Sequence, residues 1–117
     1  MQKVTIWHNP RCSKSRETLA LLQERDIAPE IVEYLKDPPS PAEIERVLKL
    51  LGIGARGLIR DNEDAYQASG AADASLGDER LVEIMHTHPI LIQRPVVIAG
   101  GKARIGRPPE AVLEILP

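Results

Sequence analysis

Cys12 is the only cysteine of the 117-residue chain, and Arg11, Lys14, Arg16 and His8 all lie within four positions of it. A thiol attacks as its thiolate, and neighbouring positive charge favours that form. Residues 3–7, KVTIW, read as a short strand that His8-Asn9-Pro10 breaks, and helix formers follow from about Ser13 to Arg25. The sulfur is therefore expected at a strand-to-helix turn, near unpaired N–H groups and the positive end of a helix dipole. Lowering a thiol pKa by about two units would raise the thiolate fraction at pH 7 from roughly 3% to roughly three-quarters. A lone cysteine is often only a small buried hydrophobe. The charged, helix-opening setting points instead to a nucleophile.

With one cysteine there is no internal disulfide and no closed zinc site built on several thiolates. Any redox partner thiol must come from outside the chain. Ser15 stands where a CxxC motif has its second thiol, and Thr18 stands where a phosphate-binding loop of the Cys-x5-Arg kind has its arginine. An oxyanion at Cys12 would thus need arginines from elsewhere. Ten of the fifteen basic residues are arginine, whose planar fork suits tetrahedral oxyanions. Arg60, Arg94 and Arg107 each sit beside a turn or at a junction between elements, although any single arginine is more often a solvated surface charge. His86 and His88 form an HxH pair without a second ligand cluster and read as structural histidines at a helix end. Trp7 reads as a core aromatic.

The rest of the chain supplies the elements that position these groups. Pro29 to Leu35 reads as a second strand, parallel to the first if the intervening helix crosses over in the usual way. Ser40, Pro41 and Glu43 make a helix start, followed by an apolar stripe of Ile44, Val47, Leu48 and Leu51 that Gly52 and Gly54 stop. Ala55 to Gly77 is ambiguous, with a short helix through Leu58 and Ile59 and looser connections after it. Asp78 opens another helix that Pro89 closes. Pro95 to Ala99 and Lys102 to Ile105 read as a hairpin turned by Gly100-Gly101, and EAVLEIL near the C-terminus has α-helical spacing.

A net charge of −2 argues against a broad basic surface for nucleic acid. Hydrophobic residues at 43% and charged residues at 27% suit a globular protein, and the apolar runs are too short for a bilayer. The N-terminus does not resemble a secretory signal. A cytoplasmic protein with no membrane partner is expected.

HNPRCSKSRETL, LKDPPS, the Ile-Gly segment leading into ARGLIR, HPILIQRPVV and GRPPEAVLEIL together resemble the glutaredoxin-coupled arsenate reductases of the ArsC family, in order and over essentially the whole chain. The resemblance implies an α/β, thioredoxin-like fold (βαβ…ββα, mixed sheet) in a single domain, residues 1–117, with a mainly helical insertion at about 38–88. By matching positions Cys12 resembles the family nucleophile, Arg60, Arg94 and Arg107 the oxyanion-binding arginines, and His8 the residue that helps depress the cysteine pKa. Arsenate or a similar oxyanion would be the substrate, with glutathione and glutaredoxin as external reductants and no bound cofactor or metal. The plasmid-type members extend beyond the position of Pro117. The same superfamily contains Spx-type regulators, which bind RNA polymerase and commonly carry a CxxC switch that Ser15 removes here. A redox or transcription regulator, or a thiol reductase of another substrate, is accordingly the alternative. The fold resemblance, with the placement of Pro95 before a strand, also predicts a cis Arg94–Pro95 bond.

Overall fold

The structure is a computed structural model that describes residues 3–117. Two compact units divide the chain: the described residues up to Asp37 together with Arg94–Pro117, and Pro38–Gln93.

The first unit is a four-stranded mixed sheet in the order β2-β1-β3-β4. Strand β1 (Val4–Trp7) leads through helix α1 (Ser13–Glu24) to β2 (Glu30–Val32), which pairs parallel to β1. This is the crossover that a strand, helix and strand in succession require. Strand β3 (Val96–Ala99) runs antiparallel on the other side of β1 and turns at Gly100, φ 61°, into β4 (Lys102–Ile105). The positive φ explains a glycine at that turn. The two central strands, β1 (VTIW) and β3 (VVIA), are mostly apolar, as buried strands are. Ile6 and Val97 are wholly buried, opposite each other in register, and join Val4, Leu22, Ala99 and Val112 in one core.

The expected C-terminal α-helix is instead a 3-10 helix, Pro109–Ile115. Tertiary packing overrides the α-helical spacing. At three residues per turn Pro109, Val112 and Ile115 fall on one face, and these are buried, buried and half-buried. Val112 and Ile115 close the core against Leu19 and Leu22 of α1.

Gly106, just after β4, permits a close approach. A Cβ there would lie 2.7 Å from both Pro95 Cγ and Thr18 Oγ1, so only glycine fits without displacing the strand end. Its N–H donates to the Pro95 carbonyl at 2.9 Å, which fixes the path into Arg107.

The second unit is helical. Helix α2 (Pro41–Leu51) starts as its sequence demands, with Ser40 Oγ accepting the Glu43 N–H at 3.2 Å, and stops at Gly52, φ 71°. It buries Ile44, Val47 and Leu48, and helix α4 (Asp78–Thr87) buries Leu81, Val82, Ile84 and Met85. The ambiguous stretch holds a 3-10 turn, Ala55–Gly57, and the short helix α3 (Asp64–Ala68), later than the expected helix through Leu58 and Ile59. Arg56 replaces local propensity there: its guanidinium donates to the Ala71 and Asp73 carbonyls and to the Tyr66 hydroxyl. A 3-10 turn at Pro89–Leu91 and a bridge between Ile59 and Ile92 complete the unit.

Candidate active site

Cys12 occupies the N-cap of α1, where the chain is still extended (φ −94°, ψ 124°). A Ser or Asp at this place would accept from the first-turn N–H groups; here a sulfur takes that place. No acidic residue stands in the first turn to oppose the positive helix end. Burial pushes the Cys12 thiol pKa up, but the Ser15 N–H, the Arg94 side chain and the Lys14 N–H together outweigh it and leave the pKa below its ordinary value. The thiol makes no geometrically complete cap hydrogen bond, so these groups act by favouring the thiolate.

Arg94 and Arg107 come from the far end of the sequence. The Arg107 Nε donates to the Arg94 carbonyl at 2.9 Å, and this bond turns its Nη2 onto Cys12 Sγ at 3.8 Å. Arg107 is exposed, so an incoming anion has access to it. The expected cis Arg94–Pro95 bond is present, and Arg107–Pro108 is cis as well.

His8 differs from expectation. Instead of lending charge to the sulfur, its Nδ1 lies 2.6 Å from Ser15 Oγ, and burial, the largest influence, lowers its pKa. Arg16 pushes in the same direction and Glu33 opposes both. A buried imidazole without a close carboxylate bond stays neutral at pH 7, which removes the positive charge that had linked His8 to the thiolate. Arg16 itself donates to the Pro10 carbonyl.

Sequence reasoning missed Asn9 and Tyr34, and saw in Ser15 only a missing thiol. Asn9 Oδ1 accepts the Arg11 N–H at 3.0 Å, an Asx turn that the His-Asn-Pro signal could have disclosed. The Asn9 N–H donates to Ser15 Oγ at 3.0 Å. Tyr34, 1% exposed, interacts with the Asn9 side chain, which favours its charged form. Burial pushes its hydroxyl up to about 12 against the pull of Arg94, Asn9 and Arg107, so it remains a neutral phenol. Its partner lies far away in sequence, and no spacing announces it.

Arg60 belongs to the helical unit. Its guanidinium lies 3.5 Å from Glu63 Oε1 and donates to Asn62 Oδ1, while its buried Nη1 has no hydrogen-bond partner among the described residues. In the same unit His86 Nδ1–H donates to the Pro39 carbonyl at 2.9 Å, a structural bond. No group of three or more potential metal ligands occurs among the described residues, and none of their helices is long and apolar enough to cross a membrane.

Residues 7–115 match the model of the ArsC family. The chain belongs to that family. It is 53% identical to the uncharacterized protein YfgD of Escherichia coli K12, with 98% of each chain covered. It is 44% identical to an arsenate reductase of Neisseria meningitidis, covering 99% of this chain and 100% of that one. Among solved structures, an arsenate reductase from Vibrio cholerae superposes with a TM-score of 0.94 at 48% identity, covering 98% of each chain. The thioredoxin-like α/β architecture of this ArsC-family chain is thus shared with its relatives.

Proposed function

We propose that this protein reduces arsenate to arsenite with Cys12 as nucleophile. The observation that carries the reading is the sulfur at an unopposed helix N-terminus with Arg94 and Arg107 turned onto it. Such donors stabilise negative charge where it develops during attack.

The Cys12 thiolate attacks arsenic, forming an S–As bond, and one arsenate oxygen leaves as water after taking up protons. The glutathione thiol then displaces a second oxygen as water. A glutaredoxin thiolate attacks the glutathione sulfur, a mixed disulfide forms, and the electron pair of the broken S–As bond stays on arsenic, taking it from As(V) to As(III). Hydrolysis of the remaining S–As bond releases arsenite and restores Cys12. No bound metal or organic cofactor takes part, and the thiol supply places the reaction in a reducing compartment such as the cytoplasm.

Arg94 and Arg107 hold the oxyanion beside the sulfur. The same role for Arg60 rests on the family resemblance. His8, bonded to Ser15, acts as a positioning residue.

The test is arsenate-dependent NADPH oxidation with glutathione, glutaredoxin and glutathione reductase. Turnover well above a Cys12→Ser control is expected; equality with that control overturns the reading. Omitting glutaredoxin alone should remove most of the rate.

A further inference from the structure

Three hydrogen-bonding groups of Asn9 are engaged, and each ties down part of the loop that carries the nucleophile. Its N–H donates to Ser15 Oγ at 3.0 Å, and its carbonyl accepts the Cys12 N–H at 3.0 Å. Its Oδ1 accepts the Arg11 N–H at 3.0 Å, and its side chain also interacts with the Tyr34 hydroxyl, favouring the charged form. Two of these partners are rigid anchors. Ser15 is wholly buried on α1, and Tyr34 is 1% exposed just after β2.

An Asx turn alone would need only the Oδ1 bond. The geometry assigns Asn9 a further role: it is the positioning residue of the Cys12 sulfur, held from one side by Tyr34 and from the other by the Ser15 hydroxyl. This inference rests on the reading of Cys12 as the nucleophile.

The physical basis is the short range of the groups that favour the thiolate. The hydrogen bonds that N–H donors and a guanidinium make to a sulfur act only at short range, and a displacement of about 1 Å is enough to forfeit much of that stabilisation. Cys12 has no side-chain partner on the loop to hold it there. Its place is set by its own N–H on the Asn9 carbonyl, and the Asn9 side chain is held by its bond from the Arg11 N–H and by its interaction with Tyr34. Ser15 serves twice, as its hydroxyl holds the Asn9 N–H while its own N–H favours the charged sulfur. Ser15 Oγ also lies 2.6 Å from His8 Nδ1 while it accepts from the Asn9 N–H.

The pH dependence of Cys12 alkylation by iodoacetamide tests the assignment without arsenate, so failure of arsenate turnover does not bear on it. Asn9→Ala should move the alkylation midpoint upward by about one pH unit, the size expected when one favourable contact to a thiolate is lost. Tyr34→Phe, which removes a single oxygen and retains the buried ring, should move it in the same direction by less. The double variant should match Asn9→Ala alone, because the phenol acts through Asn9. Unchanged midpoints with a lowered Tm would show a structural role only and overturn the proposal. So would an additive double variant, or a wild-type midpoint at the ordinary thiol value. Should Asn9→Ala fail to fold, the Tyr34→Phe midpoint decides by the same criterion.

Discussion

The cysteine loop and the corner around Arg60 hold their polar side chains by opposite means. At Arg60 the guanidinium is matched by a carboxylate, Glu63, and steadied by Asn62. Around Cys12 the positioning groups are neutral: Asn9, Ser15, an uncharged His8 and backbone N–H groups. Arg107 has no carboxylate partner among the described residues and spends its donors on a carbonyl and the sulfur. The positive charge of Arg107 is therefore not matched by a carboxylate among the described residues, which suits a multiply charged oxyanion. Positive charge at Arg60 is already balanced within its own unit.

That contrast separates the arginines by experiment. Arg107→Ala should lower kcat/KM for arsenate on the order of 10²-fold, comparable to loss of one oxyanion-hole donor, and raise the Cys12 alkylation midpoint. Because the side chain is exposed, its Tm should stay near that of the wild type. Arg94→Ala should shift the midpoint further, since its side chain favours the thiolate by both hydrogen bonding and charge. Arg60→Ala should also lower kcat/KM, yet leave the midpoint unmoved. Near-normal kcat/KM in all three variants would remove the oxyanion clamp, and a raised midpoint in Arg60→Ala would erase the distinction between the two regions.

Gly106→Ala probes how firmly Arg107 is presented. The added Cβ would meet Pro95 Cγ and Thr18 Oγ1 at 2.7 Å, and both neighbours belong to packed elements. A cost of about 1–3 kcal/mol in unfolding free energy is expected from overpacking, with kcat falling as the chain leading into Arg107 shifts. Chemical denaturation alongside single-turnover kinetics measures both. Wild-type stability would mean that the strand end yields freely and that glycine is dispensable there.

What the sequence disclosed follows the range of the interaction responsible. The Ser40 cap, the stop at Gly52 and the turn at Gly100 are local, fixed by residues within a few positions, and the structure bears them out. Cys12 at a helix N-terminus was legible for the same reason, from a strand pattern, a breaker and a run of helix formers. The C-terminal 3-10 helix was not, because packing of Val112 on the sheet decides its pitch. Nor were the interaction of Tyr34 with Asn9 or the Arg56 bonds to Ala71 and Asp73, whose partners meet only in the folded chain. His8 shows the subtler limit. Its proximity to Cys12 in sequence suggested charge, whereas burial decides its protonation.

The smallest expected effect concerns that histidine. A base whose pKa is lower in the folded protein than in the unfolded chain is held neutral by the fold, so the fold loses stability when the ring must take up a proton. The unfolded ring titrates near 6.5 and the folded ring below it. The contribution of neutral His8 is thus fully present above about pH 6.5 and is lost progressively as pH falls through the folded pKa. In the protonated ring Nδ1 can only donate, so Ser15 Oγ then receives both the imidazolium and the Asn9 N–H. His8→Asn removes the titration and keeps a polar side chain. The Tm of the wild type relative to His8→Asn should fall as the pH is lowered from 7 to 5, and the difference should be flat between pH 7 and 8. A difference that grows toward low pH would mean that His8 is stabilised as a cation, and the neutral positioning groups around Cys12 would lose one of their members.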